Sequence, residues 1–425
     1  MKQPQVPIAQ IINKTCACKT LNEKLLIAQL EKEELLHGLY QDIVSTRPHL
    51  FSSTMVFISP EELRSMSETI EVIEKTIAST SFQNQVLLAA PEIAQKNFGP
   101  QGVFMGYDFH LSEKGPKLIE INTNAGGAYL NAALAQAQNA CCQDVVFDPQ
   151  IEEYFFQMFL NEWKLQRPDA ELKTIAIVDE KPHSQYLYPE FRLFERLFKS
   201  KGLNCFIADP KDFRYQEHQL YLGGTKIDLV YNRLTDFYFD SSEASLLKEA
   251  YQSGSVVVTP NPHHHALYAN KLNLTYLSQQ SEMQQFNLSS DDQALLMKGI
   301  PKTEVLDAKY ADSFWERRKG LFFKPSRGFG SKASYRGDKL TKRVWEEILK
   351  EDYVAQEIIP PCNRLVDVGG KNADLKLDIR AYVYQGQIQL LAARLYSGQT
   401  TNFRTFGGGF APVVVTQENL TLSST

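Results

Sequence analysis

Hydrophobic and polar positions change their period several times along the chain. Residues 22–45, NEKLLIAQLEKEELLHGLYQDIVS, place apolar side chains at helical spacing with charges on the opposite face. SPEELRSMSETIEVIEKTIAS opens with Ser59, carries Pro60 at the first helical position, and has Glu62 three residues after the cap. That combination is a helix-start signature. The first hundred residues are therefore expected to be mostly helical. The period then shortens to two. FMGYDFHLSEKGPKLIEIN, residues 104–122, reads as a β-hairpin turning near SEKGP.

Beyond the polar LQRPDAELK, strands and helices alternate. TIAIVDE, NCFIADP and VVVTPNP read as buried strands, and YPEFRLFERLFKSKG and SEASLLKEAYQSGS as amphipathic helices. This alternation predicts a small doubly wound α/β unit over residues 172–265. The last 150 residues are β-rich, with strands expected in LFFKP, YVAQEII, LKLDIRAYVYQG and QIQLLAARLY. No internal repeat interrupts the pattern.

Composition narrows the class. A chain of 425 residues, 43% hydrophobic, can bury a large core in two or three units. A net charge of -5 without a long basic run argues against a nucleic-acid partner. No stretch reaches the roughly 18 apolar residues of a membrane helix. MKQPQVPIAQIINKTCACKT lacks a charged segment leading into an apolar one, so no secretory signal is expected. Six cysteines without metal-site spacing fit reduced thiols, and a cytoplasmic location is expected.

The chemistry concentrates in KLIEINTNAGG, residues 117–127. With Ile119 and Ile121 facing a core, alternation puts Leu118, Glu120 and Asn122 on the other face. A hairpin centred near Lys114 sets Asp108 opposite Glu120, with Cβ atoms about 5 Å apart. Two opposed carboxylates repel, and a hard cation such as Mg²⁺ would resolve the conflict with oxygen ligands from Asp108, Glu120 and Asn122. An exposed polar hairpin face is the plainer alternative.

In FFKPSRGFGSKAS, Lys324 precedes a loop with Ser326, Gly328, Gly330 and Ser331. Backbone N–H groups of such a loop can wrap phosphate oxygens. The loop has neither Walker A spacing nor a helix opening on it. A second lysine, Lys271, follows the doubly wound unit. His263, His264 and His265 are consecutive, so they are not expected to share one metal ion. Gln356 and Glu357 end an apolar strand, Asp378 and Arg380 share a strand face, and Arg394 lies on the next strand. Taken singly, surface ion pairs explain these charges as well. Arg233 has two readings, a ligand for an acidic substrate or a core salt bridge with Asp236.

Taken together, these segments resemble the ATP-grasp ligases in an unusual order, with the acid hairpin first and the lysines, loop, hinge and arginines after it. That order resembles the circularly permuted branch that includes glutathionylspermidine synthetase. The resemblance covers residues 100–130 and 255–415. It implies a mixed α/β and α+β chain with a circularly permuted ATP-grasp fold. Residues 1–100 would form a helical region, 101–165 a permuted segment with the metal-binding hairpin, 172–265 a Rossmann-like preceding domain, and 266–425 the nucleotide-binding lobes.

The resemblance also implies roles. Asp108, Glu120 and Asn122 would hold Mg²⁺ on the ATP phosphates. Lys271 and Lys324 would contact phosphates or the adenine edge, with Ser326, Gly328, Gly330 and Ser331 covering the phosphates. Gln356 and Glu357 would meet adenine and ribose. Arg380 and Arg394 would stabilise the acyl phosphate or tetrahedral intermediate. The implied activity is ATP-dependent joining of a small-molecule or peptide carboxylate to an amine or thiol. A non-ligating ATP-binding regulatory or scaffold protein, or a kinase on the same fold, are the alternatives. Two positions depart from the family pattern. Gly106 stands where many members carry an arginine, and NAGG replaces their Pro-Gly.

Overall fold

The computed structural model describes residues 7–139, 147–328 and 333–417. Its centre is a seven-stranded sheet in the order Val56–Ile58, Gly409–Val415, Gln387–Tyr396, Lys371–Tyr384, Met105–His110, Lys117–Asn122, with Asn363–Val368 also paired to Lys371–Tyr384. The hairpin thus lies beside a strand some 270 positions later in the sequence, pairing Arg380 with Asp108. The strand Val56–Ile58, absent from the expected helical region, joins the edge in parallel with Gly409–Val415. Its three residues are too few to reveal a period.

One face of this sheet is covered by the helix Pro60–Ile77. The Ser59–Glu62 capping box forms as expected, and Met66, Ile70, Ile73 and Ile77 face a core shared with Tyr107, Phe109, Ile379 and Leu395. That 4-3-4 spacing is one helical stripe. Residues 22–45 are less regular than expected. They form Glu23–Leu30 and Leu39–Thr46, with a short 3-10 turn between. Gly38 at φ 83° interrupts the helical path there.

A parallel four-stranded sheet, ordered Val257–Thr259, Leu229–Asn232, Thr174–Val178, Asn204–Ala208, corresponds to the doubly wound segment. A separate antiparallel sheet of Thr303–Val305, Tyr353–Glu357, Leu321–Pro325 and Tyr335–Arg336 has its own small core around Phe323 and Trp345. This lobe faces the polar side of the central sheet. Among the described residues, no helix is long and apolar enough to cross a membrane.

Candidate active site

The hairpin pairs Asp108 with Glu120 and Gly106 with Asn122. A register shift after Asp108 then pairs Phe109 with Leu118. The extra residue changes the expected facing. Leu118 and Ile121 enter the core, whereas Ile119 turns to the polar side and lines a cleft. A β-bulge of this kind inserts one residue and reverses alternation locally.

The cleft lies between the small lobe and the central sheet and is open to solvent. Asp108, Glu120, Lys271, Lys324, Gly328, Gln356, Glu357 and Arg394 all line it. Its floor is a charge network. Arg380 grips Asp108 with two bonds, Nε–Oδ1 and Nη2–Oδ2, both 2.7 Å. Arg394 adds Nη2 at 2.9 Å from Asp108 Oδ2, and its Nε lies 2.6 Å from Asp378 Oδ1. Asn122 Nδ2 donates to Asp108 Oδ2 at 3.1 Å and to Glu120 Oε1 at 3.4 Å.

The carboxylate conflict expected between Asp108 and Glu120 is therefore resolved within the protein. Burial alone would raise the Asp108 pKa, but the two guanidinium groups hold it down at about 2. With four donors on its two oxygens, Asp108 has little capacity left for a cation. Glu120 differs. Burial raises its pKa, and Lys271 and Lys324 more than offset that, keeping it ionised. Its one hydrogen bond among the described residues comes from the Asn122 amide.

The lysines close the other side. Lys324 Nζ reaches Gln356 Oε1 at 2.8 Å and the Ile119 carbonyl at 3.0 Å. Burial, reinforced by Lys271, lowers its pKa to about 8. Lys271 Nζ donates to the Gly328 carbonyl at 2.6 Å, and its backbone N–H donates to the Ser326 carbonyl. Both lysines are thus seated at the start of the glycine loop. Ser326 is buried, and Gly328 packs against the Pro325 ring. The expected loop residues Gly330 and Ser331 lie outside the described residues. Gln356 is buried between Lys324 and Thr303, whereas Glu357 is exposed at the cleft edge.

Gly106 has a physical account. A Cβ there would sit 2.5 Å from the Ala125 Cβ and 3.3 Å from Arg380 Nε. The space above residue 106 is filled by the Arg380 side chain. Arg233 does not pair with Asp236, whose carboxylate accepts the Asp240 and Ser241 N–H groups. Its Nη1 donates to the Asn124 carbonyl, and the guanidinium lies over the Tyr231 ring. The histidines diverge as expected. His263 meets the Ala94 carbonyl, while His265 meets Thr123 and stacks on Phe237. Among the described residues no group of three His, Cys, Asp or Glu side chains could hold a metal ion.

His110 and Asp378 also line the cleft, with no role in the expected site. His110 follows Asp108 by two positions and so shares its face, a signal that alternation carries. Asp378, expected only to share a strand face with Arg380, anchors Arg394.

No protein-family model and no curated protein matches the chain. Among solved structures it is similar to a glutathione synthetase-like effector from Globodera pallida in its apo form. The identity is 12%, the coverage 93% of this chain and 97% of that one, and the TM-score 0.55. A second similarity is to a protein assigned as a gamma-glutamylcysteine synthetase from Methylobacillus flagellatus KT, at 10% identity, 81% and 84% coverage, and a TM-score of 0.47. The second likeness is too loose to carry weight. The first, spanning nearly all of both chains, shows a shared fold.

Proposed function

We propose that the protein is an ATP-dependent ligase that joins a small-molecule or peptide carboxylate to an amine or thiol, through an acyl phosphate, with release of ADP and phosphate. The observation that carries this reading is convergence. Glu120 and Asn122, Lys271, Lys324, Gln356, Arg380 and Arg394 come from six separate segments and meet around one cleft. The fold shared with a glutathione synthetase-like protein is in keeping with it. So is the segment order. The acid hairpin precedes the lysines in sequence yet pairs with a late strand, as it would in a circularly permuted ATP-grasp core.

Mg²⁺ fits part of the expected ligand set. Glu120 and Asn122 would hold it, while Asp108 would serve as the anchor that fixes Arg380 and Arg394 beside them. When bound, the ion would neutralise phosphate charge and complete its shell with phosphate oxygens and water. The chain's own groups act mainly by positioning and electrostatics. Lys271 and Lys324 would draw the phosphates to the start of the glycine loop. The Gln356–Glu357 segment would meet the nucleoside. Arg394 would steady negative charge as the substrate carboxylate attacks the γ-phosphate, and again as the amine or thiol displaces phosphate.

A second reading has a specific observation behind it. Position 106 has no room for a side chain, and both arginines are already paired with carboxylates. A nucleotide-binding protein that does not ligate would look the same. The deciding experiment offers the protein Mg²⁺ATP with pools of carboxylates, amines and thiols, and measures ADP, phosphate and product mass. Ligation gives a condensed product with ADP. Tight ATP binding without turnover under every pool would favour the non-ligating reading.

A further inference from the structure

His110 lies at the hinge end of the cleft, where Tyr353–Glu357 leaves the small lobe. Its Nδ1 is 2.7 Å from the carbonyl oxygen of Ile359. A carbonyl has no proton to give, so Nδ1 must carry the hydrogen and donate it. In a neutral ring the other nitrogen then holds a lone pair. The surroundings keep the ring neutral. Burial opposes its protonation most; Asp378 and the Ile359 carbonyl pull the other way, and Lys324 and Arg394 add smaller opposition, leaving the pKa below its ordinary value.

Nε2 makes no hydrogen bond among the described residues, and it is not one of the fully buried unpartnered atoms, unlike His264 Nδ1 and His265 Nε2. The ring lines the cleft, so this lone pair is available to a ligand. A bare acceptor repels phosphate oxygens, which carry no proton at neutral pH. It needs an N–H or O–H donor. Lys271, a phosphate-seeking group, reaches the Gly328 carbonyl of the glycine loop, whereas His110 is tied to the segment that follows Glu357.

We propose that His110 Nε2 is a specificity-determining acceptor for the nucleoside of the bound nucleotide, taking a hydrogen bond from the exocyclic amine of adenine or from a ribose hydroxyl. This rests on the nucleotide-binding part of the proposed function. A base that offers a carbonyl oxygen at the same place would set one lone pair against another, and buried unpaired acceptors discriminate strongly.

Binding of ATP, ITP, 2′-deoxyATP and 3′-deoxyATP, each with Mg²⁺, is measured by calorimetry on the wild-type chain and on His110→Phe. The wild type is expected to bind ATP at least tenfold more tightly than one of the analogues. Weak ITP identifies the base amine as the donor, and a weak deoxynucleotide identifies the hydroxyl. In His110→Phe that preference should collapse while ATP still binds. Equal wild-type affinity for all four would overturn the proposal without needing the variant. So would a preference that persists in a folded His110→Phe. Failure of every nucleotide to bind the wild type would instead overturn the proposed function, and this inference with it.

Discussion

Lys324 is a buried cation whose pKa is pulled down to about 8, first by burial and then by Lys271. The sign of the consequence differs between stability and binding. An unfolded lysine titrates near 10.4. Between about 8 and 10.4 the unfolded chain binds more protons than the native one, so apo stability should rise with pH across that window, by on the order of 1 kcal/mol per unit. Below about 8 both forms are protonated and the term is flat. Phosphate binding needs the charged form, so ATP affinity should fall over the same window. Lys324→Ala should remove both trends and weaken ATP binding by about 1.5–3 kcal/mol, the range for charge-assisted hydrogen bonds. Calorimetry and urea unfolding from pH 7 to 10 check the pair of slopes. Arg394 tests a different balance. Removing it leaves Asp108 with one guanidinium partner and Asp378 with none. Arg394→Ala should therefore destabilise the fold by about 3–5 kcal/mol. Turnover should also fall about a hundredfold, the loss expected for one oxyanion-type donor. Arg394→Lys, retaining the charge, should recover more stability than turnover. Equal recovery of both would make Arg394 a structural ion pair.

At the scale of elements, the segment Pro262–Ala269 holds three neutral histidines in a short α-turn running into a π-turn. Burial lowers the pKa of His264 and His265 to about 3 each, helped by His263 in the first case and by Lys271 and Arg327 in the second. Unfolded histidine titrates near 6.5. Their contribution to stability is thus present above about pH 6.5 and is lost as pH falls toward 3, because only the unfolded chain takes up the protons. Urea midpoints should drop steadily from pH 7 to 5. His264→Gln with His265→Gln should flatten that decline, and an unchanged slope would assign it to other groups. How much of this was legible in the sequence depends on distance along the chain. The hairpin, the Asp108–Glu120 pairing and the Ser59 capping box are local, and their spacing alone foretold them. The bulge that turns Leu118 inward was not legible, because one inserted residue leaves no trace in so short a strand. Nor was the pairing of Asp108 with Arg380 and Arg394. The residue types expected together do line one cleft, but two carboxylates alone suggested a metal at Asp108, to which the fold brings arginines from two strands far along the chain.

For the whole molecule, the consequence lies in how the small lobe is attached. Its core around Phe323 and Trp345 is separate from the others. It meets the rest through Lys324 to the Ile119 carbonyl, Lys271 to Ser326 and Gly328, and His110 to Ile359 across the cleft, and through Thr303 to Ser278 and Gln279 at its edge strand. These are polar contacts of modest net worth, about 1 kcal/mol each. Such an attachment opens at lower free energy than the packed sheets. A nucleotide bridging both sides would add its binding energy to the closed form, about 2.7 kcal/mol at a hundredfold excess over Kd. Hydrogen exchange should therefore slow together in residues 119–122 and 321–328 when Mg²⁺ATP is added, while the helix Pro60–Ile77, on the far face, stays unchanged. Glu120→Ala should weaken that protection on both sides at once, because Glu120 reaches the ligand only through the phosphates and the ion they carry. Protection confined to residues 321–328 would mean that the nucleotide sits on the small lobe alone, and the acids of the hairpin would lose their part in binding it.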